Sequence, residues 1–245
     1  MSRIALEVCV DTPAGLAAAV AGGADRIELC AALSAEGLTP SPGLMAQAAR
    51  SGCPTFAMIR ARPGDFVFDA LELEAMRSDI DSAAAAGLSG VVLGVNRPDG
   101  RLDEAALAGQ VAHAKAAGLS VALHRAFDLT PDKPEALETA IALGFPRILT
   151  SGGHRSAVEG ADVIAELVRR AGERVVILAG AGLRPQNVAE FVRRTGVREV
   201  HGSCRAPLPQ PPAERPDVAL GFTPTGLQDT SRTVVAAMVG ALAGV

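Results

Sequence analysis

Short apolar runs alternate with alanine-rich helical patterns eight times along this chain, and that alternation constrains the fold more than any other feature. The apolar runs fall at residues 4–10, 25–30, 54–60, 89–95, 119–124, 146–150, 174–179 and 197–202. Helical patterns occupy 14–21, 44–51, 75–86, 104–117, 134–143, 158–171, 185–195 and 231–242. Most of them stop at a glycine, among them Gly22, Gly87, Gly118, Gly144, Gly172 and Gly196, the residue best able to take the left-handed conformation that closes a helix. Strands alternating with helices are the pattern of βα units on a parallel sheet. Eight such units predict an α/β fold, a single (β/α)8 TIM-type barrel spanning residues 1–245, and about 250 residues is the usual size of one. An open doubly wound sheet would call for GxGxxG after the first strand. Asp11-Thr12-Pro13 stands there instead, and no nucleotide cofactor is evident. One segment breaks the rhythm: residues 207–226 carry six prolines before the last helix. It reads as an excursion from the barrel, serving as a lid or as the contact of a homo-oligomer, rather than as a linker between domains.

The core of such a barrel has to be built from Ala, Leu, Val and Ile, because the chain has no Trp or Tyr and only seven Phe. The same scarcity, with a net charge of −4, argues against a nucleic-acid partner, which would call for stacking rings and basic patches. Cysteines at 9, 30, 53 and 204 show no CxxC spacing, and no secretory signal precedes them. A reducing cytoplasmic setting is therefore expected rather than a disulfide framework. No apolar run approaches the ~20 residues a membrane span needs.

In a barrel of this kind chemistry gathers where strands end and loops begin. The first strand alternates apolar Ile4, Leu6, Val8 and Val10 with Glu7, Cys9 and Asp11. The second alternates Ile27 and Leu29 with Arg26, Glu28 and Cys30. Each polar set shares one face of its strand, so parallel pairing would bring both glutamates and both thiols together. The same parity turns His124 and His201 inward. The third strand leads into Arg60, Arg62 and Asp65, and the fifth into His124, Arg125 and Asp128. The sixth ends at Thr150-Ser151-Gly152-Gly153 and the seventh at Ala179-Gly180-Ala181-Gly182. Gly180 and Gly182, ahead of Pro185 and beside Gly152 and Gly153, read as a backbone N–H cradle for a phosphate or carboxylate. Tight strand-to-helix turns that need positive φ account for the same glycines. Taken singly, a buried cysteine is a small hydrophobe and an inward Arg and Glu form a structural ion pair. A barrel packed for stability alone would not collect His, Arg, Asp, Glu and Cys at one end.

Several ordered motifs carry a resemblance: Leu6-Glu7-Val8-Cys9-Val10-Asp11, residues 22–30 as GGADRIELC, Gly37-Leu38-Thr39-Pro40-Ser41, His124-Arg125-Ala126-Phe127-Asp128 and Leu149-Thr150-Ser151-Gly152. Together the chain resembles the CutC family of copper homeostasis proteins, from residue 4 to about 204. The resemblance implies a cytoplasmic TIM-type barrel associated with copper, with two thiols that bind Cu(I) and map onto Cys9 and Cys30. Soft Cu(I) does favour thiolate sulfur at low coordination number. The chain departs from the family pattern at Ala61 and Pro63 in the arginine loop, at Gly94-Val95-Asn96-Arg97, and at Cys204, an additional thiol near the mouth.

Two functions are then expected to compete. One is Cu(I) binding through Cys9 and Cys30, with Glu7, Glu28 and Asp11 opposing thiolate formation. The other is an enzyme acting on a small anionic or phosphorylated metabolite. In it Arg60, Arg125, Gly152, Gly153, Gly180 and Gly182 would hold the anion, and Glu28, His124, Asp128 or His201 would move protons.

Overall fold

The computed structural model describes residues 3–245. Eight parallel strands close into a barrel in chain order: β1 (Ala5–Val10), β2 (Arg26–Leu29), β3 (Thr55–Met58), β4 (Gly90–Leu93), β5 (Ser120–Leu123), β6 (Arg147–Thr150), β7 (Val176–Ala179) and β8 (Glu199–Gly202), which pairs back onto β1. Helices α1 (Pro13–Gly22), α2 (Pro42–Ala49), α3 (Ala70–Ala85), α4 (Glu104–Ala116), α5 (Lys133–Ala142), α6 (Ala161–Ala171) and α7 (Val188–Thr195) follow the first seven strands. After β8 come β9 (Arg205–Pro207), the short α8 (Pro216–Ala219), β10 (Gln228–Thr230) and α9 (Arg232–Leu242). All eight expected strands are present, most of them shorter than their apolar runs. Arg60, Asn96 and His124 lie just past the last paired residues of β3, β4 and β5, where the backbone turns over the mouth.

Local chemistry starts the helices where they start. Thr12 accepts the Gly15 N–H at 2.8 Å ahead of Pro13 at the first helical position, a place that suits proline. Asp69 and Glu72 form a reciprocal capping box, worth about 1 kcal/mol in similar helices, so α3 begins at Ala70 rather than at 75. Asp103 and Asp132 cap α4 and α5 more simply, their side chains accepting the Ala106 and Glu135 N–H groups.

Two cores result, on opposite sides of one sheet. Outward-facing Val8, Ile27, Leu29, Leu93, Leu123 and Ile148 are fully buried beneath Met76, Ile80, Leu107, Leu137, Ile164 and Val235 of the helices. Each such side chain contributes about 1.5–3 kcal/mol. Inside the barrel the apolar part is smaller: Phe56, Val92 and Ala122 pack together, and buried Met58, Leu149 and Leu178 share the inward face. The Phe56 ring fills the space beside β4, and a Cβ on Gly90 would lie 2.5 Å from its Cε1 and 2.6 Å from the Ser120 carbonyl oxygen.

The proline-rich excursion is anchored at its base. β9 and β10 pair antiparallel, Arg205 opposite Thr230, and the Thr12 hydroxyl donates to Asp229 at 2.8 Å. Beyond that ribbon Leu220 and Phe222 are exposed. Among the described residues no helix is long and apolar enough to cross a membrane.

Candidate functional site

Inward parity holds for the first two strands, but their register is offset by one inward step from the convergence expected of the glutamates and thiols. Glu7 lies opposite Arg26 on β2 and opposite His201 on β8, while Cys9 lies opposite Glu28. Cys30 stands beyond the last paired residues, its N–H donated to the Val10 carbonyl. The two thiols are therefore not side by side. The physical reason is the shear of a closed barrel, which staggers neighbouring strands along its axis.

The lowest layer is an ion network that sequence reasoning left out of the candidate site. Arg26 donates through Nε to Glu7 and through Nη2 to Glu199 at 2.5 Å. Arg147 donates to both oxygens of Glu199, at 2.6 and 3.0 Å. Both guanidinium groups face the Phe56 ring, at 5.7 and 5.8 Å from its centre. The signal was available in part, since Glu7 precedes Cys9 by one inward step and Glu199 precedes His201 likewise. What joins them across β8, β1 and β2 is closure, which no local pattern encodes.

Above that layer sits the cluster Cys9, Glu28 and His201, all buried, whose ligand-type atoms lie within 4.8 Å of one another. His201 Nδ1 lies 2.8 Å from Glu7 Oε1, and its Nε2 lies 3.8 Å from Glu28 Oε2. Gly180 of the β7 end makes room for the imidazole, as a Cβ there would approach His201 Cβ to 3.1 Å. Burial pushes the Glu7 carboxyl up, yet the His201 hydrogen bond and the charges of Arg26 and His201 together hold it at about 2. Glu28 is driven up to about 7, first by burial and further by Glu7, with His201 pulling the other way. Burial disfavours the His201 imidazolium, but Cys9, Glu28 and the hydrogen bonds to Cys9 and Glu7 outweigh it and raise its pKa well above the ordinary value. Two carboxyls in adjacent layers thus differ sharply in proton affinity, because Glu7 has both the His201 hydrogen bond and the Arg26 contact, and Glu28 has neither at hydrogen-bond distance.

Cys30 is sealed. Its Sγ lies 3.7 Å from Glu28 Oε2, and the loop after β2 covers it so closely that a Cβ on Gly37 would stand 3.1 Å from the sulfur. Burial first, then Glu28 and Cys9, raise its pKa well above the thiol range. Cys204 is also buried, and burial with the neighbouring Cys9 pushes it up to about 12.

The remaining candidates fall into two groups. Arg60 and His124 sit one layer higher, at the ends of β3 and β5. Arg125, Asp128, Gly152 and Gly153 form a separate clamp. There Asp128 accepts from Arg125 Nε at 2.7 Å, Thr150 Oγ1 at 2.5 Å, Ser151 N at 3.1 Å and Gly153 N at 3.0 Å. The Gly152 N–H goes to Thr150 Oγ1 at 2.9 Å, and the Gly180 N–H to the Thr150 carbonyl at 3.0 Å. The Asp128 carboxylate thus occupies the place an anion would take at the Gly153 amide, because a buried carboxylate and a glycine turn satisfy one another. No hydrogen bond joins Asp128 to His124, whose Nδ1 accepts the Ala126 N–H instead. Gly182 turns at φ +75°.

The sequence model of the CutC family matches residues 4–206. Among curated proteins, a family protein CutC of Caulobacter vibrioides (strain NA1000 / CB15N) is 57% identical over 240 residues, covering 98% of this chain and 97% of the relative. A counterpart from Sinorhizobium medicae (strain WSM419) is 51% identical over 238 residues, covering 97% and 96%. Among solved structures, a CutC crystal structure from Streptococcus agalactiae is similar at TM-score 0.77 and 32% identity, covering 82% of this chain and 98% of that one. A likeness to N-(5'-phosphoribosyl)anthranilate isomerase from Pyrococcus furiosus, at TM-score 0.61 and 14% identity, covers 99% and 100% of the two chains and concerns the barrel alone.

Proposed function

The chain belongs to the CutC family, and from that premise we propose that it binds Cu(I) inside the barrel, through Cys9 Sγ and His201 Nε2. The observation that carries this reading is the buried grouping of Cys9, Glu28 and His201 within 4.8 Å. The donor set fits a soft cation: one sulfur and one imidazole nitrogen suit Cu(I), which accepts few ligands. The Glu7 contact at Nδ1 supports it further. A histidine that binds metal usually has its second nitrogen held by a carboxylate, which leaves the first aimed and basic. Cys30, sealed beneath Gly37 and outside the grouping of Cys9, Glu28 and His201, is a weaker partner than His201. In this proposal Cys9 with His201 takes the place of the pair that the resemblance implies, Cys9 with Cys30, and the family's association with copper homeostasis supplies the identity of the metal.

The test is anaerobic titration of the reduced protein with Cu(I) against a competing chelator. Cys9→Ser and His201→Asn are each expected to weaken binding by at least about tenfold, comparable to what loss of a supporting contact costs at metal sites. Cys30→Ser should weaken it less, and Cys53→Ser not at all. Unchanged affinity in the Cys9→Ser, His201→Asn double variant would sink the reading. A Cys30→Ser loss equal to that of Cys9→Ser would restore the two-thiol pair.

One observation favours a second reading, an enzyme. Glu7, His201 and Cys9 run as carboxylate, imidazole and thiol, the order in which a histidine activates a nucleophilic sulfur. Stoichiometric labelling of Cys9 by a small alkylating agent, faster than that of Cys53, is the result this reading expects.

A further inference from the structure

Arg60 is 5% exposed, and among the described residues no carboxylate pairs with it. Its Nη1 donates to the Ala35 and Gly37 carbonyls at 3.0 and 3.2 Å, and its Nη2 to the Gly64 carbonyl at 2.7 Å. Its Nε–H has no partner. Carbonyl oxygens satisfy hydrogens but carry no full charge, so the buried guanidinium has no counter-charge in contact, and among carboxylates only the more distant Glu36 acts on it. Buried charges in proteins are ordinarily paired.

A second unpartnered donor stands at the same level. The register Met58, Val92, Ala122 across β3, β4 and β5 places Arg60, Gly94 and His124 two residues further on, facing the same way. Gly94 has no side chain, and the His124 ring lies over it: a Cβ there would come within 2.6 Å of His124 Cε1. Phe66 packs against both neighbours, its ring 4.9 Å from the Arg60 guanidinium and 4.6 Å from the His124 ring. His124 Nδ1 accepts the Ala126 N–H at 3.1 Å, so in the neutral ring the proton sits on Nε2. That Nε2 is buried and has no partner. Burial and the Arg60 charge lower the His124 pKa to about 3, which keeps the ring neutral.

We propose that Arg60 Nε–H and His124 Nε2–H form a binding site for the carboxylate of a small organic acid at the barrel mouth, bounded by Phe66. One guanidinium with no carboxylate in contact and two N–H donors match a monoanion with two oxygens. A phosphate dianion would call for more donors, and the amides that could add them, Gly152 and Gly153, are engaged by Thr150 and Asp128. The site is distinct from the Cys9–His201 pair and does not depend on copper.

The experiment is calorimetric and thermal-shift titration of the metal-free full chain with formate, acetate, glycolate and inorganic phosphate. Saturable binding of at least one carboxylate, tighter than phosphate, is expected. His124→Asn keeps an acceptor for the Ala126 N–H while removing Nε2, and should weaken that binding about ten- to hundredfold, the range for a hydrogen bond to a charged group. Arg60→Lys, which keeps charge without the Nε–H, should do the same. The unliganded melting temperature of His124→Asn reports whether its fold is intact. No saturable carboxylate binding, phosphate bound tighter than every carboxylate, or carboxylate affinity unchanged in a folded His124→Asn would each overturn the proposal.

Discussion

Arg26→Met is expected to destabilise the barrel by about 3 kcal/mol, the lower end of the range for breaking a buried ion pair. The lower end applies because neither carboxylate is left alone: Glu7 keeps His201 and Glu199 keeps Arg147. Arg26 is 9% exposed and bridges β1, β2 and β8 at the point where the barrel closes, so the loss falls on the seam between the first and last strands. The measurement is the chemical-denaturation midpoint, with Arg198→Met as the control. That arginine pairs with Glu173 on the surface, where ion pairs contribute little, and no shift is expected. Equal midpoints for Arg26→Met and the native chain would refute the claim. The same network sets the acid limit. Glu7 ionises at about 2 in the folded chain against 4.5 ordinarily. Its contribution is therefore present above pH 4.5 and is lost as pH falls from there toward 2. Glu28, raised to about 7, has the opposite sign, stabilising below 4.5 and losing that contribution as pH rises through 7. Below pH 4.5 Glu28 no longer contributes to the slope, and Glu7 acts together with Glu199, which Arg147 and Arg26 hold low against burial, and with surface-paired carboxylates such as Glu138 and Glu166. A native chain whose melting temperature is flat from pH 4.5 to 2.5 would contradict the placement of the network.

Gly160→Ala is expected to be at least as disruptive, at about 3 kcal/mol, the top of the usual overpacking range. The backbone there, at φ −87° and ψ 11°, suits alanine, so conformational strain is not the cause. A Cβ would lie 2.0 Å from the Ser151 carbonyl oxygen and 3.1 Å from Gly152 Cα, and both are main-chain atoms that cannot rotate away. The start of α6 would have to move off the loop whose amides hold Asp128. Gly87→Ala is the comparison, with φ +80° but nothing within 4 Å, for which about 1–2 kcal/mol of left-handed strain is expected. If Gly160→Ala melts at or above Gly87→Ala, the close approach of the two loops is not a constraint.

What the chain states locally was legible. The alternation of strand and helix, the glycines that end helices, and the inward set Glu7, Cys9, Arg26, Glu28, His124 and His201 all follow from periods of 3.6 and 2 within one segment. Even the capping box at Asp69 and Glu72 stands in the sequence, although the alanine run beyond it drew the helix start to residue 75. Tertiary structure decided who faces whom. Cys9 meets Glu28 and His201 rather than Cys30, Glu7 meets Arg26 and His201, and the loop amides after β6 serve Asp128 rather than a ligand. Parity is a property of one strand and survives any arrangement of its neighbours. Register depends on how far each strand slides against the next when eight of them close, and that distance is set by the whole barrel at once.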